Sequence, residues 1–380
     1  MTSTDHSHIL NELAFGLLKE SDQGKEVCIS PLGILGNLNI LIHSTSSEKV
    51  IAQIDKLLHL NETEKKKKQD EKVKIICDLI NHVTNGDKEF VEFKQENGIY
   101  VSSGVALENL DSLKHTKICK DDAGVKVLNE EIEKLSGHRL KSFLNLQNKP
   151  KSGVTLFSYI HIKASFCNIF RPDSTEIGEF HVSASKTIKI PMLKSGGMRM
   201  YNEDKEIGAR IMYHSFFGCN FSVLVVVPIK KFGLAEMEKK LTAEKYSHLT
   251  GNMRSVLGSL AIPKLALNNV TDVSASLKKM GVTDIFDGSV AHLASKITKA
   301  PAAIDHVSQG ISINLNEFGA SVPKRELKES EIHVRCCGGF TKMPEQQDIV
   351  ANEPFLLIIH YHVGNSVVSV NRVLEPILSE

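Results

Sequence analysis

Apolar positions along this chain follow helical spacing in its first half and strand alternation in its second. Ile9, Leu10, Leu13, Phe15, Leu17 and Leu18 form a wide stripe that predicts a first amphipathic helix. Ile34, Leu35, Leu38, Leu41 and Ile42 belong to a segment apolar nearly all round, which predicts a helix inside the core. Pro31 suits its first turn, where the missing N–H would have no partner, and Ser30 is the expected cap. Val73, Ile76, Cys77 and Ile80 carry another stripe, and 127–146 alternates apolar and charged residues as a helix lying on a sheet face would. β-Branched runs predict strands at 154–162, 221–227, 356–362 and 367–370. Helices concentrated early and strands late predict an α+β architecture.

The strand Ile311-Ser312-Ile313-Asn314-Leu315-Asn316 runs into Glu317-Phe318-Gly319 and then into a stretch, 320–350, with no period of either kind. A loop of about thirty residues in a compact protein calls for a functional explanation. Order returns at Asn352-Glu353-Pro354-Phe355 and continues to Asn371-Arg372-Val373.

This arrangement resembles the carboxyl end of a serpin. The tract from Val307 through Gln309 and Gly310 to Gly319 is similar to that family's hinge strand, and Pro354-Phe355 with Asn371-Arg372-Val373 to its final strands. The likeness extends to Ile29-Ser30-Pro31-Leu32-Gly33-Ile34-Leu35, to the strand from Ser158 to Phe166 with Phe170, Thr175 and Phe180, to Ile262-Pro263-Lys264-Leu265, and to Leu277-Lys278-Lys279-Met280-Gly281-Val282-Thr283-Asp284-Ile285-Phe286. It implies one domain over 1–380, with a large central mixed sheet, further sheets, about eight or nine helices and an exposed reactive-centre loop within 320–350.

The resemblance further implies an irreversible inhibitor of a serine, or of a cysteine, endopeptidase. The loop is offered as bait and, once cleaved, enters the main sheet as an added strand. Glu317, Phe318, Gly319, Ala320, Ser321, Val322 and Pro323 are the expected hinge, with Gly319 supplying backbone freedom. The family's usual spacing from the hinge reaches His333, and counted back from Pro354 it reaches Met343, so the loop is longer than usual. Arg335 and Lys342 between them suit a trypsin-like protease; His333, Phe340 and Met343 suit a chymotrypsin-like one. Ser30, Gly33, Phe166 and Gln309 are the expected sheet-opening positions. Phe166 stands where the family has Trp, Gln309 replaces a usual His and Gly33 a usual Ser, all of which argue against efficient opening.

The hinge chemistry favours an alternative. On entry Ala320, Val322, Lys324 and Glu326 face the core; an inward Lys or Glu costs several kcal/mol unless paired, and Pro323 removes a ladder hydrogen bond. A serpin-fold protein that does not trap proteases, acting as a binding or chaperone-like module, is therefore the second reading.

Composition narrows this little. Lys and Arg number 46 against 45 Asp and Glu, so there is no global pull toward nucleic acid or membrane. Lys65-Lys66-Lys67-Lys68 is a candidate polyanion site, but flanking Glu62, Glu64, Asp70 and Glu71 make it read as a solvated loop. Seven cysteines without Cys-x-x-Cys spacing, and a first segment carrying Asp5, Glu12 and Glu20 in place of an apolar export region, predict a reduced, cytoplasmic monomer, or a secreted one if a leader was removed. Adjacent Cys336 and Cys337 read as ordinary thiols. His360-Tyr361-His362 alternates along a strand and reads as structural, with no metal or cofactor expected. Neither a Gly-x-Ser-x-Gly elbow nor a phosphate-binding glycine motif supports an enzyme.

Overall fold

The computed structural model describes residues 7–102, 116–138, 140–144, 153–288, 303–323 and 345–378. The first stripe folds as α1, Ser7–Glu20, and the apolar segment as α2, Pro31–Ser44, which buries all but a few of its residues. Helices α3, Glu48–Leu57, and α5, Gln69–Thr84, flank α4, Glu62–Lys65. Next come α6, Asp121–Leu135, then α7, Leu234–Lys240, α8, Ala243–Gly251, and α9, Ser274–Lys279.

Two sheets carry the core. In spatial order, one contains β1 (Val27–Ile29), β15 (Ser366–Val373), β14 (Phe355–Tyr361), β8 (Phe221–Pro228), β7 (Ala209–Ser215), β6 (Lys186–Asp204), β9 (Arg254–Pro263) and β13 (Ile349–Val350), with β5 (Glu176–Ser183) on β6. The other, the main sheet, runs β16 (Ile377–Leu378), β10 (Leu265–Asp272), β11 (His306–Asn316), β12 (Gly319–Ala320), β4 (Val154–Ser165), β2 (Val91–Val101), β3 (Lys117–Lys120). Pleating sends Leu156, Ile160, Ile162 and Ala164 of β4 into the large core with α2, and Phe157 and Tyr159 to the opposite face, where α6 covers them with Val125, Leu128 and Ile132.

Three expectations need correction. The helix on the sheet face is α6, ending at Leu135, well short of 146, and Val127 on it points outward. Ser30 occupies the cap position of α2 without capping it, because its hydroxyl donates across the core to the Val368 carbonyl at 2.7 Å. The lysine run is mostly a solvent-facing connection, as expected: Lys65 ends α4 and pairs with Glu62, Lys66 to Lys68 join α4 to α5, and Glu71 accepts from the Lys68 N–H at the start of α5. Finally, the irregular stretch is shorter than 320–350. Ala320 belongs to β12, and from Glu345 the chain is docked on β9 through the Arg254–Glu345 pair, the Leu257–Gln346 bridge and Asp348, which accepts from Ser259.

The histidines of β14 are engaged by protein. Tyr246 of α8 contacts His360 Nδ1 at 2.7 Å, and Ser222 contacts His362 Nε2 at 2.7 Å. Burial first, and then neighbouring His362, hold His360 down to about 3. A folded-state value below the unfolded 6.5 gives stability that is complete above pH 6.5 and drains as pH falls toward 3. We expect chemical unfolding at pH 4.5 to show a loss of about 2–3 kcal/mol from this group relative to pH 6.5. His360→Gln should flatten that slope; an unchanged slope would rule His360 out as its source.

Candidate functional site

β11 and β4 are parallel partners from His306–Thr155 to Ser312–His161. Above that point they separate, and the short β12 occupies the gap, antiparallel to both: Ala320 pairs with Leu315 and Ala164, Gly319 with Asn316 and Ser165. The expected hinge therefore already stands in the sheet by two residues.

Side chains at the reversal explain how. The Asn316 carboxamide oxygen accepts from the Phe318 N–H at 2.9 Å, while its nitrogen donates to the Val322 carbonyl at 2.6 Å, bracing both ends of the turn. The Phe166 and Phe170 N–H groups donate to the carbonyls of Phe318 and Glu317. Glu317 is buried, and its carboxylate is met by Lys264 at 3.1 and 3.3 Å and by the Thr175 hydroxyl at 3.2 Å. Gly319 has φ +154°, and a Cβ there would collide with the Ala164 carbonyl, so only glycine lets β12 lie this close to β4.

Insertion stops one residue later. Ser321 takes φ +53°, a left-handed conformation costly for a side-chain-bearing residue, and its N–H donates to the Asn314 carbonyl at 2.6 Å. Of the expected hinge, Glu317, Phe318, Gly319 and Ala320 are buried, Ser321 and Val322 are half-buried, and Pro323 is exposed. The reactive-bond candidates His333, Arg335, Phe340, Lys342 and Met343, together with Lys324, Glu326, Cys336 and Cys337, lie outside the described residues.

The four expected sheet-opening positions divide between two places. Phe166 sits at the top beside the hinge, stacked on Phe216 at 5.2 Å and edge-on to Phe170 and His214. His214 is buried, and desolvation first, then the Arg199 guanidinium, hold it well below the ordinary histidine range. Ser30, Gly33 and Gln309 meet lower down, under the intact β4–β11 pair. There the Gln309 carboxamide accepts from the Ser30 N–H at 2.8 Å and donates to the Ser30 carbonyl at 2.7 Å, reaching the Ser158 hydroxyl at 3.4 Å. A Cβ on Gly33 would lie 2.5 Å from the Gln309 nitrogen and 2.7 Å from the Ser158 oxygen. The two departures from the family pattern are thus one adjustment: the glycine leaves the space the glutamine fills.

Their coupling is measurable. Gln309→Ala leaves the buried Ser30 N–H without its partner, at about 1–3 kcal/mol, while the Ser30 carbonyl keeps the Ile34 N–H at 3.3 Å; Gly33→Ser overpacks the same spot by about 1–3 kcal/mol. In the double variant we expect less destabilisation than the sum of the singles, read from urea unfolding; strict additivity would mean the residues do not share this space.

Pairing Lys264 with Glu317 was not legible in the sequence, nor was the approach of Cys167 to Cys219, whose sulfur helps raise the Cys167 thiol above the ordinary range. Neither spacing nor motif marks these pairs, because partners on different strands meet only through sheet register.

A family model described as serpin (serine protease inhibitor) matches residues 8–376. Human serpin I2 is 21% identical over 363 residues, covering 92% of this chain and 86% of its own. A solved serpin from the trematode Schistosoma haematobium superimposes with a TM-score of 0.77 at 22% identity, covering 98% of this chain and all of its own. Human thyroxine-binding globulin superimposes with a TM-score of 0.79 at 18% identity over the whole of both chains.

Proposed function

The chain belongs to the serpin family, and we propose that it is an irreversible inhibitor of a serine endopeptidase, with the segment after Ala320 as bait. Serpins are for the most part protease inhibitors and not catalysts. The observation that carries the proposal is the unfilled slot: β4 and β11 pair directly over 306–312, part above it, and admit only Gly319 and Ala320 between them. A sheet with room for one more central strand is a reservoir of unreleased stability, and cleavage of the bait frees a strand to fill it.

A second reading rests on the register. Extending the β12 pairing by alternation would bring Val322 beside Ile162 and Ile313, Lys324 beside Ile160 and Ile311, and Glu326 beside Ser158 and Gln309. The first neighbours suit valine; the second are fully buried and apolar, where an ammonium carries a desolvation cost of several kcal/mol. On this reading the loop is cut without trapping, and the protein works as a binding module, as the solved thyroxine-binding globulin complex with thyroxine illustrates for a protein of this fold.

Incubation with trypsin-like and chymotrypsin-like proteases separates the two. A covalent complex on denaturing gels, with a rise in Tm on the order of tens of degrees after loop cleavage, is the expected result; clean cleavage with neither would leave the second reading standing.

A further inference from the structure

Cys167 and Cys219 are both exposed and both free, and the Cys219 sulfur lies near enough to help hold the Cys167 thiol above the ordinary range. Cys167 follows the end of β4, and Cys219 lies in the turn joining β7 to β8, at φ +62°. The two segments are already laid together by the Phe166–Phe216 bridge, by the Cys167 N–H donating to the Ser215 carbonyl at 2.9 Å and by the Phe217 N–H donating to the Ser165 carbonyl at 2.8 Å. On the other side of this crossing stands the hinge, through the Phe166 N–H on the Phe318 carbonyl.

We propose that Cys167 and Cys219 are a redox-modifiable pair, whose disulfide fastens the upper end of β4 to the β7–β8 turn and resists opening of the main sheet. For a strand to enter between β4 and β11, those two must move apart by about 4.8 Å. β11 is held by β10 over seven residue pairs and by Glu317 on Lys264. β4 is in turn held by β2 over eleven residue pairs, so opening has to move β4 together with β2, and the disulfide would tether that pair of strands at its upper end. With the thiols reduced, only hydrogen bonds and ring stacking hold the crossing, and these re-form at little cost.

The oxidant is a low-molecular-weight disulfide such as oxidised glutathione. One cysteine thiolate attacks a sulfur of that disulfide and forms a mixed disulfide, releasing one glutathione thiolate. The second cysteine thiolate then displaces the other glutathione. Two electrons pass from the cysteine pair to glutathione, and the two protons lost by the cysteines are taken up by the two glutathione thiolates. Burial, then the neighbouring sulfur, keep Cys167 above the ordinary thiol range, so exchange quickens as the solution is made mildly alkaline.

The test uses the full chain carrying Cys336→Ser and Cys337→Ser, so that those thiols take no part. After treatment with oxidised glutathione and alkylation of residual thiols, non-reducing peptide mapping should find a 167–219 cross-link that disappears on reduction and is absent from a further Cys219→Ser variant. Hydrogen exchange at residues 162–165 and 313–316 should slow by about tenfold in the oxidised form, recover on reduction, and be insensitive to oxidant when Cys219 is serine. Failure to find the cross-link, or a cross-link that leaves exchange unchanged, overturns the proposal. Neither readout involves a protease, so the result stands whatever becomes of the inhibitor reading.

Discussion

Replacing Pro323, Lys324, Arg325 and Glu326 by Thr, Ala, Ala and Ala should raise the fraction of protease trapped, relative to loop merely cleaved, by about tenfold to a hundredfold. The reasoning starts from the observed register. Ala320 lies flat between Ala164 and Leu315, so the next inward positions fall beside Ile162 and Ile313, then Ile160 and Ile311. The second pair is fully buried in the main core, where a lysine carries a desolvation cost of several kcal/mol. Proline adds a missing donor in what becomes a central strand. Trapping is a race between insertion and release of the protease, so each 1.4 kcal/mol removed from the insertion barrier shifts the outcome tenfold. Only part of the burial cost is felt at the barrier, which sets the lower end of the range. Densitometry of complex against cleaved species on denaturing gels measures it. Equal partition in parent and variant would mean either that another register is used or that insertion is not the limiting step.

The second large effect lies far from the hinge. Arg372→Ala should cost about 3–5 kcal/mol and lower Tm by several degrees or prevent folding. Arg372 is 1% exposed in β15, yet every face of its guanidinium is met. Nε and one terminal nitrogen donate to the Glu238 carboxylate of α7, the latter at 2.6 Å and also to the Leu18 carbonyl and the Ser21 hydroxyl; the other terminal nitrogen donates to the carbonyls of Asp22 and Lys25. One cation thus joins the end of α1, the connection into β1, the last long strand and α7, and it sits where the carbonyl end of α1 favours positive charge. Removing it strands the Glu238 carboxylate in a dry site. Arg372→Met with Glu238→Leu should lose less than Arg372→Ala alone, since no charge is left unpaired. Both variants lose the hydrogen bonds to the Leu18, Asp22 and Lys25 carbonyls alike, so a greater loss in the double variant, read from urea unfolding, would rule out the unpaired Glu238 carboxylate as the source of the cost.

Some of the site was legible without coordinates. The family resemblance placed a hinge at 317–323, and β12 forms within it at Gly319 and Ala320. The departures at 33 and 309 were visible too, but as two separate losses; contact distances make them one exchange of space. Ser30 was misread because local spacing suggests a cap, whereas the buried carbonyl of Val368 competes for the same hydroxyl and wins. The end of the loop was misplaced because 345–350 has no period of its own and gains order only by lying along β9.

The linear pattern of apolar residues determined the class of fold, the burial of α2 and several of the strands, because periodicity of 3.6 or 2 is written locally and needs no partner. The same pattern determined that residues 324 and 326 are poorly suited to a core position. How far the hinge has entered, which residue each inserted position would meet, which buried charges are paired, and that Cys167 lies against Cys219 were decided only by tertiary structure. Those features depend on register between strands distant in sequence, and register is set by the packing of the whole sheet.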